Sequence, residues 1–451
     1  MTLGPPPHNP MLFRRPATTR AVWAMTGTGN TGARRQSCCH TAWPPAESIC
    51  GERAVKKHLA KLLMVPVATY FSTAVLAAEA EVEPAPPKQG VTPALPLSAD
   101  RPAAYAELPT FGAIAWETEK LPWVDEGPYA GISGVAMDVW DDKIVLAGGF
   151  IPGGDETADR ASRKTSRWSW LYDAAGNTWT QLAHAPDRRE YARGLVADDT
   201  FYVFGGGKQY QKQDPPYLPH AECFALDLTR QPPAWREHSP LNVPRTHMAV
   251  GRVGNYLVVA GGNEYDYAEK GYSANTIRNT TEVFDLHQPE LGWQVRAPIP
   301  AVGRGWSAAV ATDEYLYVFG GVTWDETQNS VGVRETWRYS PAQDRWEKRT
   351  PPPVAISGWA GALFLNRYAV IVGGIMREKD KPGRTSYWSD LAWAYDVRDD
   401  RWLQVTGTLP PGAVFNDPAV AILDHTLYVL GGEGPKGSHY NYFLTGEIKP
   451  K

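Results

Sequence analysis

The chain is 451 residues long, and aliphatic and aromatic residues make up 43% of it, with 18 tryptophans and 42 glycines. Its formal net charge is −4 at pH 7. The first 80 residues contain nine Lys or Arg against three Asp or Glu, so the remainder of the chain is more acidic than the whole. An acidic surface disfavours contact with a phosphate backbone, so we expect no nucleic-acid partner.

The first segment in chain order, residues 1–54, is rich in Pro, Arg and Thr and shows no periodicity. We interpret it as a disordered or spurious N-terminal extension. It contains three of the four cysteines, Cys38, Cys39 and Cys50. Beyond it only Cys223 remains, so we expect no disulfide within the folded part of the chain.

Residues 55–80 have the features of a signal peptide. Basic residues, among them Lys57 and Lys61, precede an apolar run of about sixteen residues, which is followed by the A-x-A pattern that ends at Ala80. The run is shorter than the roughly twenty residues of a membrane span. We therefore expect a secreted or periplasmic protein that is cleaved near Ala80 and keeps no stable membrane span, with an uncleaved anchor as the alternative. Residues 81–110, rich in Pro and Ala, are expected to be a flexible linker.

From residue 111 to residue 448 the chain is built from repeats. A pair of adjacent glycines recurs every 53 to 59 residues, and each pair ends an apolar run such as KIVLAGG or TLYVLGG. A period near fifty residues with β-branched and aromatic runs is typical of repeat folds made of small sheets. The pairs begin at Gly148, Gly205, Gly261, Gly320, Gly373 and Gly431.

Each repeat is expected to contain four antiparallel strands. An apolar strand leads through a tight turn into the strand that ends in Gly-Gly, and a long loop then connects to an aromatic strand, a short turn and a strand with a tryptophan. Four antiparallel strands per repeat form a propeller blade. The tryptophans that mark the fourth strand are Trp179, Trp235, Trp293, Trp346 and Trp402.

The last repeat lacks a tryptophan strand of its own. After Gly432 the chain supplies one more strand, YNYFLTGEI, whereas a spare tryptophan strand lies at the other end, around Trp116. Pairing of these two strands would complete the last blade and remove an exposed sheet edge. We therefore predict an all-β, six-bladed propeller over residues 111–448, closed by pairing an N-terminal strand with the C-terminal blade.

The repeat resembles a known family. A Gly-Gly pair, a downstream Tyr or Phe and then a Trp resemble the core motif of the kelch repeat, and the resemblance implies a kelch-type β-propeller. The aromatic residues at the middle position are Tyr172, Phe224, Phe284, Tyr339 and Tyr395.

The long loops of the repeats are expected on one rim of the propeller. Because strand direction alternates, the loops after the Gly pairs and those that join neighbouring blades lie on the same side, where rigid scaffolds usually carry their binding residues. Arginines beside aromatic rings suit a carbohydrate, a sugar acid or a protein ligand, since guanidinium groups bind carboxylates and rings stack on sugar faces. The candidate ligand-binding residues are Tyr129, Arg193, Arg245, His247, Arg304, Trp306, Trp359, Asn416 and Asp417.

The two ends of the repeat region resemble a more specific family. Residues 129–149 and residues 424–437 are similar to two consecutive blades of the secreted N-acetylneuraminate mutarotases, also called epimerases, in a cyclically permuted order. That family carries a Gly-Glu followed six residues later by an Arg in a Lys-Pro-Gly-x-Arg-Thr context. Here Glu433 matches the Glu, whereas the sixth residue onward is His439 and a KPGRT string occurs one repeat earlier.

The resemblance implies a catalytic role for Glu433, with His439, Arg193, Arg245 or Arg304 as the group that holds the carboxylate of a sugar acid. Mutarotation needs a base for the anomeric hydroxyl and an acid for the ring oxygen, which one glutamate can provide by moving a proton. We expect a ligand-binding propeller without a cofactor or a metal site, and a sugar-acid mutarotase is the alternative. The sequence leaves the oligomeric state open.

Overall fold

The computed structural model describes residues 102–124, 131–152, 164–210, 217–266, 271–377, 386–435 and 438–451. The expected N-terminal extension and signal peptide, and most of the expected linker, lie outside these ranges. The end of the linker is structured: helix α1 (Ala103–Ala106) buries Tyr105 completely, and the Tyr105 hydroxyl donates to the carbonyl of Ala392 at 2.9 Å. The prediction of a flexible linker up to residue 110 is therefore wrong for its last residues.

Every described repeat forms antiparallel strands in chain order, as the sequence predicts. Four of the sheets contain four strands each. Their strands are β2 (Ala136–Trp140), β3 (Lys143–Ala147), β4 (Ser169–Asp173) and β5 (Thr178–Gln181); β6 (Arg193–Ala197), β7 (Thr200–Phe204), β10 (Cys223–Asp227) and β11 (Ala234–His238); β12 (Ala249–Val253), β13 (Tyr256–Ala260), β14 (Thr281–Asp285) and β15 (Gln294–Arg296); and β16 (Ala308–Ala311), β17 (Leu316–Phe319), β20 (Thr336–Ser340) and β21 (Arg345–Arg349).

The remaining large sheet has nine strands. Its strands are β1 (Thr110–Lys120), β22 (Ile356–Phe364), β23 (Tyr368–Arg377), β24 (Ser386–Trp388), β25 (Ala392–Asp396), β26 (Arg401–Thr406), β27 (Ala419–Leu423), β28 (Thr426–Leu430) and β29 (Tyr442–Pro450). Strand β1 pairs antiparallel with β29, with Trp116 opposite Gly446, and its first residues also pair in parallel with β26. The first strand of the repeat region thus lies beside the last, which the missing tryptophan strand predicts.

The long loops contain short strands that the sequence analysis does not predict. Two of these loops each form a two-stranded sheet. In a third loop, β23 continues through Gly373 and Gly374 and pairs with β24. A single 3₁₀ turn precedes β15. The additional strands are β8 (Gly207–Gln209) with β9 (Tyr217–Pro219), and β18 (Val322–Trp324) with β19 (Ser330–Gly332); the 3₁₀ turn is Pro289–Leu291.

The repeated glycines and tryptophans hold neighbouring sheets together. Gly148 has a φ of 75°, and a Cβ at this position would lie 2.5 Å from the carbonyl oxygen of Arg189, so glycine is required for the close approach of the two chains. Four tryptophans each donate Nε1–H to a carbonyl about one repeat earlier in the chain. These bonds join Trp235 to Ala183 (2.9 Å), Trp293 to Ser239 (2.9 Å), Trp346 to Ala297 (2.8 Å) and Trp402 to Thr350 (3.1 Å).

The first strand of each four-stranded sheet, together with β22 and β27 of the nine-stranded sheet, faces a central cavity of about 350 Å³. Each of these strands contacts its two neighbours in the series β2, β6, β12, β16, β22, β27 and back to β2. Mostly small and aliphatic residues line the cavity, among them Gly194, Gly251 and Gly361. Sheets arranged radially around such a cavity define a β-propeller.

Candidate functional site

A set of six residues at equivalent positions, one before each innermost strand, forms a cyclic series of backbone hydrogen bonds. The amide of each residue donates to the carbonyl of the one before it, and the first amide donates to the last carbonyl, with N–O distances from 2.7 to 3.3 Å. All six have positive φ, between 50° and 68°. This set, called the rim circuit below, consists of Gly134, Tyr191, His247, Trp306, Gly358 and Asp417.

The side chains of the rim circuit form a stack on one side. His247 lies between Tyr191 and Trp306, with ring centroids 4.3 Å and 3.9 Å apart. A Cβ at Gly134 would lie 2.5 Å from the ring of Tyr191, so glycine there makes room for the stack. At the other end the partly buried ring of Trp306 lies 5.8 Å from that of Trp324. Three predicted ligand-binding side chains, those of His247, Trp306 and Asp417, thus belong to one structural unit.

Glu433 lies beside this stack. It directly follows a Gly pair and forms backbone bridges to Asn416 on one side and His439 on the other. The hydroxyl of Tyr191 donates to Oε1 of Glu433, and Nδ2 of Asn416 donates to Oε2 at 3.3 Å. Burial, together with the nearby charge of Asp417, raises the pKa of Glu433 to about 7. Near neutral pH the carboxyl group therefore exists in both protonation states.

Asp417 connects Glu433 to a cation. Its carboxylate accepts from Nη2 of Arg193 at 3.1 Å and from Nδ2 of Asn416 at 2.9 Å, and Nε2 of His247 lies 3.8 Å away. Burial raises the pKa of Asp417 in spite of the opposing effect of Arg193. Burial, reinforced by the charge of Arg193, lowers the pKa of His247 well below its usual value, so this imidazole is neutral.

A second carboxyl group, that of Glu190, lies behind Tyr191 and was not among the predicted site residues. It is fully buried and accepts hydrogen bonds from Gln209 at 3.0 Å and from Thr165 at 3.1 Å. Burial raises the pKa of Glu190 to about 8, so it is protonated at neutral pH. Its position could have been found from the repeat, because Glu190 precedes Tyr191 as Asn416 precedes Asp417.

His439, predicted as the second catalytic residue, lies next to Glu433 but is neutral. Its Nδ1 is 3.1 Å from the hydroxyl oxygen of Ser133, and its ring lies 4.8 Å from that of Phe150. Burial, followed by the charge of Lys164, lowers the pKa of His439 to about 4. A neutral imidazole offers no charge to a carboxylate, which argues against the anion-binding role that the family resemblance implies.

Two predicted ligand-binding arginines lie in the interior instead. Arg245 is fully buried, donates to the carboxylate of Glu282 and also donates to the carbonyl of Gly261 at 2.9 Å. Arg304 is 1% exposed, and its Nη2 donates to Glu335 at 2.6 Å. Because both guanidinium groups are covered and paired, the structure contradicts a direct contact of either with a ligand.

Of the other predicted residues, Trp359 is buried. Trp359 is 2% exposed, its Nε1 donates to the carbonyl of Phe319 at 3.1 Å, and its ring stacks on that of Trp402. Its ring packs against the core, and the residue also lines the central cavity. Tyr129 and the KPGRT string lie outside the described residues.

Asp138 is one of the charged residues that line the central cavity, with Arg193 and Arg252. The carboxylate of Asp138 on β2 accepts from the amides of Val139 at 2.8 Å and Val196 at 2.6 Å. Burial raises the pKa of Asp138 to about 6 although both hydrogen bonds favour the charged form. The bond from Val196 on β6 links two neighbouring sheets, so we assign Asp138 a structural role.

Within the described ranges no three His, Cys, Asp or Glu side chains come together in a way that would hold a metal ion. In the same ranges, none of the helices has the length and apolar character needed to cross a bilayer. The free thiol of Cys223 is buried, and burial raises its pKa to about 12. A thiol that holds its proton so strongly is unsuited to act as a nucleophile.

Comparison with known proteins identifies the repeat and relatives of two kinds. Residues 307–353 match the kelch motif. Over 200 residues, 38% of this chain and 53% of the relative, the chain is 26% identical to N-acetylneuraminate epimerase 1 of Escherichia coli O6:H1. The N-acetylneuraminate epimerase of Salmonella typhimurium is 22% identical over 37% of this chain and 46% of its own length. Kelch repeat and BTB domain-containing protein 12 of Homo sapiens is 28% identical over 51% of this chain and 36% of its own length.

These matches cover about half, or less, of each relative. The match to the kelch motif agrees with the four-stranded sheets of the structure and with the regular spacing of the Gly pairs and tryptophans. The chain is therefore a kelch-repeat β-propeller that resembles the N-acetylneuraminate epimerases.

Proposed function

We propose first that the propeller has six blades and that β1 closes it as the outer strand of the last blade. Three observations support this: the register of β1 against β29, the contacts between β2 and β27, and the cyclic hydrogen bonds of the rim circuit. Deletion of residues 102–120 should leave β29 as an exposed edge and produce an aggregating protein. A monomeric, cooperatively unfolding deletion variant, measured by light scattering and thermal unfolding, would contradict closure by this strand.

We propose that the rim around Glu433 binds a carbohydrate, specifically a sugar acid, and interconverts its anomers. The observation that carries this proposal is the environment of Glu433: a partly buried carboxyl group with a pKa of about 7, bound by Tyr191 and Asn416. A general acid–base catalyst works best when its pKa lies near the working pH. Burial of a carboxyl group without a cation in contact is the usual means of raising its pKa to that value.

The chemistry requires only proton transfer. Ionised Glu433 removes the proton of the anomeric hydroxyl group, the bond between the anomeric carbon and the ring oxygen breaks, and the ring oxygen takes up a proton. The open-chain carbonyl form then rotates, and the reverse steps close the ring on either face. One proton leaves the hydroxyl group and one proton is added to the ring oxygen. The protons therefore balance, and no oxidant or co-substrate is needed.

The surroundings of Glu433 suit a sugar. The partly buried rings of Trp306, Tyr272 and Trp324 form one wall, and the buried rings of Tyr191 and His247 stack behind Trp306. Apolar ring faces with a few fixed polar groups are typical of sites for small polar ligands. This arrangement supports a carbohydrate over an extended nucleic-acid or lipid ligand.

The test is the Glu433→Gln variant. An amide cannot accept the proton, so the acceleration of anomer exchange of N-acetylneuraminate should fall by about 100-fold or more while binding persists. One-dimensional exchange NMR measures the rate, and saturation-transfer NMR measures binding. Glu447→Gln, which alters an exposed carboxylate paired with Lys449, is the matched control and should keep the wild-type rate.

A second function is a non-catalytic propeller that binds a carbohydrate or a protein through the same rim. The neutral His439, found where the family resemblance implies an arginine, favours this alternative. Exchange rates near background for both wild type and Glu433→Gln, with binding retained in both, would support it over the mutarotase.

We also propose that the protein is exported with cleavage near Ala80, on the strength of the basic residues, apolar run and A-x-A pattern within residues 55–80. A mature chain that starts near Glu81 is expected from intact-mass measurement of exported material. A product that still contains Leu62 would support a membrane anchor instead.

A further inference from the structure

Arg193 contacts one of the two neighbouring carboxyl groups of the site and not the other. Its side chain lines the central cavity, is 21% exposed and donates from Nη2 to Oδ1 of Asp417 at 3.1 Å. Among the described residues, no Lys, Arg or His side chain forms an ion pair with Glu433, whose hydrogen bonds come from Tyr191 and Asn416. The charge of Arg193 therefore stabilises an anion at Asp417 rather than at Glu433.

Asn416 holds the two carboxyl groups close together. Its Nδ2 donates to Oδ2 of Asp417 at 2.9 Å and to Oε2 of Glu433 at 3.3 Å, so one amide nitrogen serves both. Two carboxyl groups that share such a site resist being ionised together, because like charges with little water between them repel strongly. The pair therefore loses its protons one at a time, and the first proton leaves the group whose charge has the better partner.

The other titratable groups that surround the pair carry no charge at neutral pH. Burial raises the pKa of the neighbouring carboxyl and phenol groups, so they keep their protons, and lowers the pKa of the neighbouring imidazoles. The charge of Lys164 acts on Glu190 and His439 but is not among the influences on the pKa of Glu433. The uncharged groups are Glu190, Tyr191, Tyr272, His247 and His439.

We propose that Arg193 is a positioning residue, which holds the negative charge of the pair on Asp417 and so leaves the exchangeable proton on Glu433. This inference rests on the proposed function, because it assumes that Glu433 transfers that proton. The charge held on Asp417 raises the pKa of Glu433. Arg193 thus affects Glu433 with the opposite sign to a cation in direct contact, which would lower the pKa of the carboxyl group.

The test is the pH dependence of anomer exchange of N-acetylneuraminate. The rate for wild type should rise with pH as Glu433 ionises, with a midpoint at about pH 7. In Arg193→Gln the buried carboxyl group of Asp417 keeps its proton and Glu433 ionises first, so the midpoint should fall by about one pH unit or more. Arg193→Lys keeps the charge and should retain the midpoint of wild type. Asp417→Asn removes the charge that Arg193 holds and should lower the midpoint as Arg193→Gln does.

The double variant Arg193→Gln, Asp417→Asn shows whether Arg193 acts through Asp417. Once Asp417 is uncharged, loss of Arg193 should lower the midpoint no further. Arg252→Gln is the matched control, because Arg252 lines the same cavity but binds Asp198 at 2.7 Å, and it should leave the midpoint unchanged. A midpoint that rises or stays constant in Arg193→Gln, or that falls again in the double variant, would overturn the inference.

A measurement that does not need activity separates this inference from the proposed function. In protein with isotope-labelled glutamate carboxyl carbons, the NMR resonance that is missing from Glu433→Gln reports the ionisation of Glu433 directly. A fall of its titration midpoint in Arg193→Gln, without accelerated exchange by wild type, would overturn the mutarotase activity and leave the role of Arg193 standing. Accelerated exchange by wild type with an unchanged titration of Glu433 in Arg193→Gln would do the reverse.

Discussion

Buried charged side chains occur in two regions of the molecule and are treated differently in each. Between the sheets, Arg245 faces Glu282, and both are fully buried. Glu282 also accepts from the amide of Asn242 at 2.6 Å, so each charge meets its complement. At the rim, Glu433 is partly buried with hydrogen-bond donors, and none of the described residues brings a cation into contact with it.

The comparison distinguishes buried charges that stabilise the fold from a buried carboxyl group that can transfer protons. A buried charge with a full set of partners keeps its usual protonation state and fixes the geometry of its surroundings. A buried carboxyl group without a cation has its pKa raised into the range where it can exchange protons at neutral pH. The comparison therefore predicts opposite effects on stability when the charge is removed in each region.

The largest effect is expected for Glu282→Gln. This change leaves the guanidinium group of Arg245 buried without its anion, so the free energy of unfolding should fall by about 3 kcal/mol or more at pH 7. Urea unfolding measures the loss. Because the cost comes from the unpaired charge, replacing Arg245 by Met in the same protein should recover part of it. A loss below about 1 kcal/mol would mean that the pair is not structural.

A smaller effect of opposite sign is expected for Glu433→Gln. The carboxyl group has a pKa of about 7 in the folded protein against 4.5 as the ordinary value. Its contribution to stability is complete below pH 4.5 and is lost as the pH rises through 7, since the folded state must then hold a buried charge. The amide does not ionise, so the variant should gain on the order of 2 kcal/mol relative to wild type between pH 4.5 and pH 8.

Urea unfolding of both proteins at pH 4.5 and pH 8 measures this gain. Glu190 titrates in both proteins, and because the charge of Glu433 raises its pKa, the difference between the two proteins includes this change at Glu190. The control variant Glu447→Gln should show no such pH dependence, because its carboxylate is exposed. The same stability difference at both pH values would show that Glu433 is not desolvated in the folded state.

The smallest effect is expected for Glu335→Gln. Glu335 pairs with buried Arg304 but is itself 24% exposed and also lies 3.1 Å from Lys348. Burial alone would raise the pKa of Glu335, but hydrogen bonds from Trp337 and Arg304 outweigh it and lower the pKa to about 2. Arg304 stays covered, but water can enter the partly exposed position of the lost carboxylate and accept its hydrogen bond, so thermal unfolding should report a loss of only about 1 kcal/mol. A loss as large as that of Glu282→Gln would show that the different burial of Glu282 and Glu335 does not determine how much each contributes to stability.

The repeat architecture could be predicted because it depends on residues whose geometry is unusual. A close approach of two backbones at positive φ requires glycine. The space between neighbouring sheets requires a large ring with one hydrogen-bond donor, which tryptophan provides. Glycine and tryptophan therefore both recur in the sequence. Helix α1 contains no residue type of this kind that would identify it in the sequence. Its order comes from the burial of Tyr105 against strands almost 300 residues away, as the bond to Ala392 shows.

The site could be predicted only in part for the same reason. The loops that carry Glu433, Asn416 and Asp417 were recognisable from their place in the repeat, because strand direction brings equivalent loops together. The role of Arg245 could not be predicted, because its partner Glu282 lies 37 residues away and nothing in the local sequence indicates that the two residues pair. Protonation states depend on burial, which the sequence does not give, so the neutral state of His439 had to come from the structure.

The rim circuit has a consequence for how such a protein could acquire new specificity. Its six positions share one backbone geometry, yet they carry side chains as different as those of Gly134, Tyr191, His247, Trp306, Gly358 and Asp417. Four of them hold a non-glycine residue at positive φ, a conformation that costs on the order of 1 kcal/mol or more each and persists only where the surroundings enforce it. The hydrogen bonds that enforce it involve only backbone atoms. At the four non-glycine positions a substitution can therefore change what the rim recognises while the main chain stays in place, whereas Gly134 and Gly358 leave no room for a Cβ.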